Sequence, residues 1–257
     1  MRMERVEETL ERIGQEALRT PGGVLAFDGD GTLWSGDVGD DLFLALLDNG
    51  DIRPEAHAAL VRLGAAHGLE AGLGARELAH QLFAEFEAGR IPEKEVYEMV
   101  AWLFAGWRVE AVRDFARDVV ARREVKRRIH PEARRVVEWA RGRGIPCYVV
   151  SASPLAVVQA AVVEVEGLSP SNVLACTPRE DGGFVLPAIV EPIPYAAGKV
   201  QCLRARTSQP LYAAFGDNVF DFEMLAASRV PVAIRPKPRL RARAPELPAL
   251  VQLQPEE

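Results

Sequence analysis

The chain has 257 residues, of which 48% are hydrophobic and 26% charged, a composition that is ordinary for a soluble globular protein. Its net charge of −6 argues against nucleic-acid binding, and no apolar run is long enough to span a membrane. Three widely spaced cysteines and a charged N-terminus without an apolar signal core lead us to expect a cytoplasmic protein.

The predicted elements begin with an amphipathic helix within residues 1–20, whose apolar residues fall near one face: Val6, Leu10, Ile13 and Leu18. The apolar run Val24–Phe27 then predicts a short buried strand. From Asp41 to Arg128 the pattern is helical, with helices predicted at Pro54–His67, Ala75–Ala88, Pro92–Ala105 and Val109–Arg128. This helical block of about ninety residues has the size of a domain.

From His130 onward, strands alternate with helices, which predicts a parallel sheet covered by helices on both faces. The strands are predicted at Ile145–Val150, Val173–Cys176, Leu211–Phe215 and Val230–Ile234. The fold class is therefore predicted as α/β, a doubly wound (Rossmann-like) parallel sheet with an inserted all-helical domain. We assign residues 1–36 and 130–257 to the α/β core and residues 37–129 to the helical insert. The tail after Pro236 is rich in Pro and Arg and carries no chemical signal.

Polar side chains follow three of the predicted strands, at the edge where open α/β sheets bind ligands. Asp28 and Asp30 follow the first strand in the sequence DGDGT, and Ser151 and Asp217 each follow a later strand. We expect these side chains to converge. One of two neighbouring carboxylates can act as a nucleophile and the other as an acid and base.

Four motifs in this order resemble those of the haloacid dehalogenase-like (HAD) phosphohydrolase superfamily. The first is DGDGT at residues 28–32, and the second is VVSAS, which contains Ser151. Lys199 in AAGKV matches the third motif, and GDNVFD at residues 216–221 matches the fourth. The helical insert after the first strand resembles the C1-type cap of the phosphoserine-phosphatase subgroup.

The resemblance implies a role for each matched residue. Asp28 is expected to attack phosphorus and form an aspartyl-phosphate, and Asp30 to protonate the leaving alcohol and then activate water. Ser151 and Ala152 are expected to hold the phosphate together with Lys199, which offsets the growing negative charge. The expected ligands of Mg²⁺ are Asp28, the backbone carbonyl of Asp30, Asp217 and Asp221.

The implied function is a Mg²⁺-dependent phosphatase that acts on a phosphomonoester of a small metabolite. Asp30 separates this chain from the dehalogenases of the superfamily, which lack an acid at this position and need no magnesium. Two alternatives stay open. The protein could be a phosphotransferase that passes phosphate from Asp28 to an acceptor alcohol, or a non-catalytic phosphate-binding protein on the same fold.

The expected substrate rests on two departures from the subgroup and on three residues expected to set selectivity. Members of the phosphoserine-phosphatase subgroup have an asparagine before the last motif aspartate and a cap arginine on the serine carboxylate, whereas this chain has Phe220 and Glu98 there. The residues expected to set selectivity are Asp37, Tyr97 and Trp102, and they favour an amino-alcohol phosphate over phosphoserine. In the opposing interpretation, Asp37 only caps a helix and the aromatic rings fill the core.

Overall fold

The computed structural model of the protein describes residues 1–49, 51–69 and 72–256. Nine strands are found among these residues: β1 (Arg2–Glu4), β2 (Val24–Phe27), β3 (Cys147–Pro154), β4 (Val173–Cys176), β5 (Pro178–Asp181), β6 (Phe184–Ile189), β7 (Leu211–Gly216), β8 (Val230–Ala233) and β9 (Val251–Leu253). Seven strands form one parallel sheet in the order β1-β9-β8-β7-β2-β3-β4. The remaining two, β5 and β6, form an antiparallel hairpin.

The helices within the described ranges are α1 (Val6–Arg19), α2 (Val38–Asn49), α3 (Pro54–Ala66), α4 (Ala75–Glu87), α5 (Glu93–Trp102), α6 (Val109–Arg122), α7 (Val125–Arg128), α8 (Pro131–Gly142), α9 (Leu155–Val162), α10 (Ala197–Arg206), α11 (Phe222–Ala226) and α12 (Pro238–Arg243). Helices α2 to α7 all lie in the connection between β2 and β3. In the described part of the chain, no helix combines the length and the apolar character needed to cross a membrane. The division into a core and an inserted domain stays a prediction.

The centre of the sheet is apolar because its middle strands are buried on both faces. Alternate residues of β2 belong to two separate apolar clusters, Leu25 and Phe27 to one and Val24 and Ala26 to the other. This pattern is expected of a central parallel strand, and it confirms the predicted α/β fold. Phe27 stacks on Phe215 of β7 with ring centroids 4.3 Å apart. Phe27, the last residue of β2, pairs with Phe215 of β7 and with Val149 of β3, so the residues just beyond these three positions meet at one edge of the sheet.

Predictions for two helices are wrong in detail. The first helix is confirmed at Val6–Arg19, within the predicted range, while residues 2–4, for which no strand was predicted, form β1 and pair with β9. Leu18 is 86% exposed, although Ile13 is fully buried, because five helical positions separate side chains by about 140°. The long helix predicted to reach Arg128 stops at Arg122, since Glu124 has a φ of 48°, in the left-handed region that interrupts a helix.

Candidate active site

All of the sequence-predicted site residues except Trp102 line one cavity at the C-terminal edge of the sheet. The predicted residues in its lining are Asp28, Asp30, Asp37, Tyr97, Ser151, Ala152, Lys199, Asp217 and Asp221. Five further residues, which were not predicted, complete it: Ser153, Tyr195, Asn218, Phe220 and Lys237. Convergence follows from the strand register, because Asp28 follows β2, Asp217 follows β7, and Ser151 lies two residues beyond Val149, which pairs with the last residue of β2.

The Asp28 carboxylate is buried and held in one orientation. Its Oδ1 accepts a hydrogen bond from Lys199 Nζ at 2.6 Å, and its Oδ2 accepts one from the Thr32 hydroxyl at 3.0 Å. Burial and then the charge of Asp221 raise the pKa of Asp28 to about 7, although Lys199 acts in the opposite direction. A bound cation beside Asp28 would favour its anionic form, which is the form that can act as a nucleophile.

Lys199 connects two buried carboxylates. Its Nζ lies 2.6 Å from Asp28 Oδ1 and 2.6 Å from Asp221 Oδ1, and its side chain is only 4% exposed. Burial alone lowers the pKa of Lys199, but the charges of Asp221 and Asp28 outweigh it and raise the pKa above its ordinary value. Asp221 Oδ2 accepts backbone N–H groups of Asp217 and Asn218 at 3.0 and 2.9 Å. Asp221 therefore anchors both Lys199 and the loop after β7.

Asp30 has an environment suited to proton transfer. Its Oδ1 accepts hydrogen bonds from Trp34 Nε1 at 2.8 Å and from the Val38 N–H at 2.7 Å. Its Oδ2 accepts one from the Ser153 hydroxyl at 2.7 Å. Burial and then the charge of Asp37 raise the pKa of Asp30 to about 7. A carboxyl with this pKa can give a proton in one step and take one in the next at neutral pH.

The carboxylates of Asp28, Asp217 and Asp221 form a cluster that fits a metal ion. One oxygen from each can be chosen so that all lie within 4.8 Å of one another. Among the described residues, Asp217 Oδ1 is one of only three buried side-chain polar atoms without a hydrogen-bond partner. Burial and the charges of Asp28 and then Asp221 raise the pKa of Asp217 to about 7. Oxygen ligands and an unpaired buried carboxylate oxygen match the donor set that Mg²⁺ prefers.

Gly31 allows the first motif to approach this cluster. Its φ of 83° lies in the left-handed region, and a Cβ atom there would sit 2.2 Å from Asp217 Oδ2. Only a glycine permits both the backbone conformation and the close contact. The glycine therefore brings the loop of Asp28 and Asp30 against the loop of Asp217.

The structure brings Lys237, from the tail after Pro236, into the site, although the sequence of this tail shows no chemical signal. This residue lies directly before α12, and its Nζ is 2.9 Å from Asp217 Oδ2. Its backbone N–H also donates to the Asp217 carbonyl at 2.7 Å. The local sequence Pro-Lys-Pro gives no indication of this contact, which depends on how the chain turns after β8.

The three residues predicted to set selectivity have different positions. Asp37 lines the cavity and also caps α2, because its Oδ1 accepts the N–H groups of Gly39 and Asp40 at 2.8 and 3.0 Å. Tyr97 lines the cavity and its ring centroid lies 5.7 Å from that of Tyr195. Trp102 is packed in the apolar core instead, because five helical positions turn it about 140° away from Tyr97.

The sequence matches the model of the haloacid dehalogenase-like hydrolase family over residues 25–226, and the chain belongs to that family. A protein of unknown function from Bordetella pertussis Tohama I has a TM-score of 0.67 at 20% identity, covering 90% of this chain and 97% of that one. A HAD family hydrolase from Salmonella enterica serovar Typhi has a TM-score of 0.54 at 16% identity, covering 91% and 73%. A substrate-bound phosphoserine phosphatase complex has a TM-score of 0.51 at 15% identity, covering 88% and 99%. A search of curated protein sequences found no match.

Proposed function

We propose that the protein is a Mg²⁺-dependent phosphatase that hydrolyses a phosphomonoester of a small metabolite through an aspartyl-phosphate on Asp28. The observation that carries this proposal is the buried Asp28 carboxylate, fixed by Lys199 and Thr32, with Asp30 beside it at a pKa of about 7. A fixed carboxylate can act as a covalent nucleophile, and a neighbouring carboxyl that titrates near neutrality can serve as acid and then base. The fold shared with phosphoserine phosphatases supports the same class of reaction.

The proposed reaction has two halves. First, an oxygen of Asp28 bonds to phosphorus while the bond to the alcohol oxygen breaks, and Asp30 gives that oxygen its proton. Then Asp30 takes a proton from a water molecule as the water oxygen attacks phosphorus, which releases phosphate and restores Asp28. Ser151 and Ala152 line the cavity and would hold phosphate oxygens, and Lys199 offsets their negative charge. When bound at the carboxylate cluster, Mg²⁺ would supply positive charge that reduces repulsion between the two anions.

Release of p-nitrophenol and phosphate from p-nitrophenyl phosphate tests this proposal. Activity should require Mg²⁺, disappear with a chelator and return when excess Mg²⁺ is added. Full activity in the chelator would contradict the metal requirement, and phosphate binding without turnover would favour the non-catalytic alternative. Adding acceptor alcohols distinguishes a phosphatase from a phosphotransferase, because a phosphotransferase would form new phosphate esters instead of free phosphate.

We further propose that the substrate is an amino-alcohol phosphate, such as phosphoethanolamine or phosphocholine. The Asp37 carboxylate lines the cavity together with the rings of Tyr97, Tyr195 and Phe220. Burial and the charge of Asp40 raise the pKa of Asp37 to about 6, so Asp37 is mostly an anion at neutral pH. An anion and aromatic ring faces together favour a cationic group, by about 0.5–2 kcal/mol for each well-placed ring.

We predict that Asp37→Asn lowers kcat/KM about tenfold more on phosphocholine and phosphoethanolamine than on sugar phosphates, because only the cationic groups lose an ionic partner, whereas the influence of Asp37 on the pKa of Asp30 is common to all substrates. Asparagine keeps the side-chain oxygen that caps α2. Asp48→Asn, on the exposed far part of the same helix, is the matched control. An equal loss on all substrates, or a wild-type preference for sugar phosphates, would contradict the amino-alcohol assignment and leave the phosphatase proposal intact.

A further inference from the structure

Lys237 adds a second lysine to the carboxylate cluster from outside the segment that matches the family. The family match ends at residue 226, and Lys237 lies eleven positions beyond it. Its Nζ contacts Asp217 Oδ2 at 2.9 Å, which leaves Asp217 Oδ1 as the buried oxygen without a partner. Lys237 therefore contacts a carboxylate of the candidate metal cluster and leaves one of its two oxygens available for a metal ion.

The backbone holds Lys237 against this carboxylate. Its N–H donates to the Asp217 carbonyl at 2.7 Å, and its own carbonyl accepts the N–H groups of Leu240 and Arg241, both at 3.1 Å. Just before it, Arg235 has a φ of 45° and pairs with the buried Glu132 at 2.8 Å. A residue other than glycine in the left-handed region is uncommon, and here it turns the chain from β8 toward the cavity. The position of Lys237 is thus set by the fold rather than by a free side chain at the surface.

The two lysines of the cluster differ in how firmly they are held. Lys199 is 4% exposed and bonded to two carboxylates, so it is a fixed part of the site. The Lys237 side chain is 53% exposed and its Nζ contacts one carboxylate, while that carboxylate is itself only 2% exposed. Lys237 therefore has fewer contacts to break than Lys199 if it moves to another anion, and a metal ion on Asp217 would replace its positive charge beside that buried carboxylate.

We propose that Lys237 competes with Mg²⁺ for Asp217 and, once the metal is bound, attracts the phosphate of the substrate. This inference rests on the proposed function. A single positive charge beside Asp217 disfavours a divalent cation on the same carboxylate and favours a dianionic phosphate in the same cavity. Lys237 thus makes the free enzyme bind Mg²⁺ weakly and makes metal and phosphate bind as a pair. Its role is that of a positioning and coupling residue in the phosphatase site.

Calorimetric titration of chelator-treated protein with Mg²⁺ alone, and then of Mg²⁺-saturated protein with inorganic phosphate, tests the proposal. Lys237→Gln keeps a donor for Asp217 without the charge, and Lys237→Met removes both. Both variants should bind Mg²⁺ about tenfold more tightly and phosphate about tenfold more weakly than the wild type. Each lacks the one positive charge of Lys237, which repels the cation and attracts the anion. Lys237→Arg should restore both affinities, and Lys126→Met, which removes a lysine from an exposed position on α7, should change neither.

The outcomes separate this inference from the proposed function. Unchanged or weaker Mg²⁺ binding in a folded Lys237→Gln protein would overturn the inference, and so would unchanged phosphate binding. Of these outcomes, weaker Mg²⁺ binding would show that Lys237 only orients the Asp217 carboxylate for the metal. A wild-type protein that binds no Mg²⁺ would overturn the proposed function itself, and this inference with it.

Discussion

Replacing Asp28 with asparagine is expected to lower kcat by about 10⁴-fold or more while the protein keeps its fold. The amide has the shape of the carboxylate and an oxygen that can still accept the hydrogen bond from Lys199. It cannot supply the oxygen that bonds to phosphorus. Because burial and the charge of Asp221 raise the pKa of Asp28 to about 7, the anion is unfavourable in the metal-free protein. The free energy of unfolding should therefore be unchanged or higher in the variant at pH 8.

Steady-state kinetics with p-nitrophenyl phosphate and urea unfolding followed by circular dichroism measure the two parts of this prediction. Asp181→Asn, in the exposed hairpin of β5 and β6, is the control for loss of one carboxylate elsewhere. An Asp28→Asn protein with more than a few per cent of wild-type turnover would show that Asp28 is not the nucleophile. A variant that loses activity because it unfolds would be recognised by its circular dichroism.

Replacing Lys199 with methionine is expected to remove activity and also to destabilise the metal-free protein by about 3–5 kcal/mol. The change leaves Asp28 and Asp221 as neighbouring buried carboxylates without their shared cation. Breaking a buried ion pair from one side is costly because the remaining charge has neither water nor a partner. Adding Asp221→Asn to the Lys199→Met protein removes one of the two unpaired buried carboxylates. The double variant should recover part of the lost stability without regaining activity.

The loss of stability in Lys199→Met should be larger at pH 8 than at pH 5. The pKa of Asp28 is already raised to about 7 in the folded protein, above its ordinary value of 3.8, so the folded state binds this proton more tightly than the unfolded state. The contribution of Asp28 to stability therefore falls as pH rises between these two values and is constant above them. Without Lys199 the anionic form of Asp28 is still less favourable in the folded state, which increases the difference in stability between pH 5 and pH 8. If the free energy of unfolding of Lys199→Met at pH 8 lies within about 1 kcal/mol of that of the wild type and of the Lys126→Met control, the buried contacts of Lys199 with Asp28 and Asp221 do not stabilise the protein as described.

Much of this site could be predicted because its residues directly follow apolar strands. The buried run Val24–Phe27 predicts both the central strand and the position of Asp28 beyond it. Ser153 was missed, although it is two residues after Ser151 and the alternation of a strand places both side chains on one face. Its hydrogen bond to Asp30 joins residues 123 positions apart, and such a contact leaves no local pattern in the sequence.

Other features were outside the reach of local patterns. Strands β1 and β9 have three residues each and pair across nearly the whole chain, so neither shows a long apolar run. Lys237 reaches Asp217 through a turn at Arg235 that no periodicity predicts. The prediction for Trp102 failed for a different reason. A helix was predicted at this position, but the sequence did not show which face of that helix Trp102 lies on.

The position of the phosphoryl group on the enzyme tests the central claim most directly. Asp30→Asn protein can be mixed with p-nitrophenyl phosphate, whose leaving group needs no proton, and quenched in acid within milliseconds. Because the variant lacks the base that activates water, the intermediate should accumulate. Reduction with borohydride converts an aspartyl-phosphate to homoserine, and mass spectrometry then locates it. We predict homoserine at position 28, and phosphate found on Ser151 or on any other residue would contradict the account.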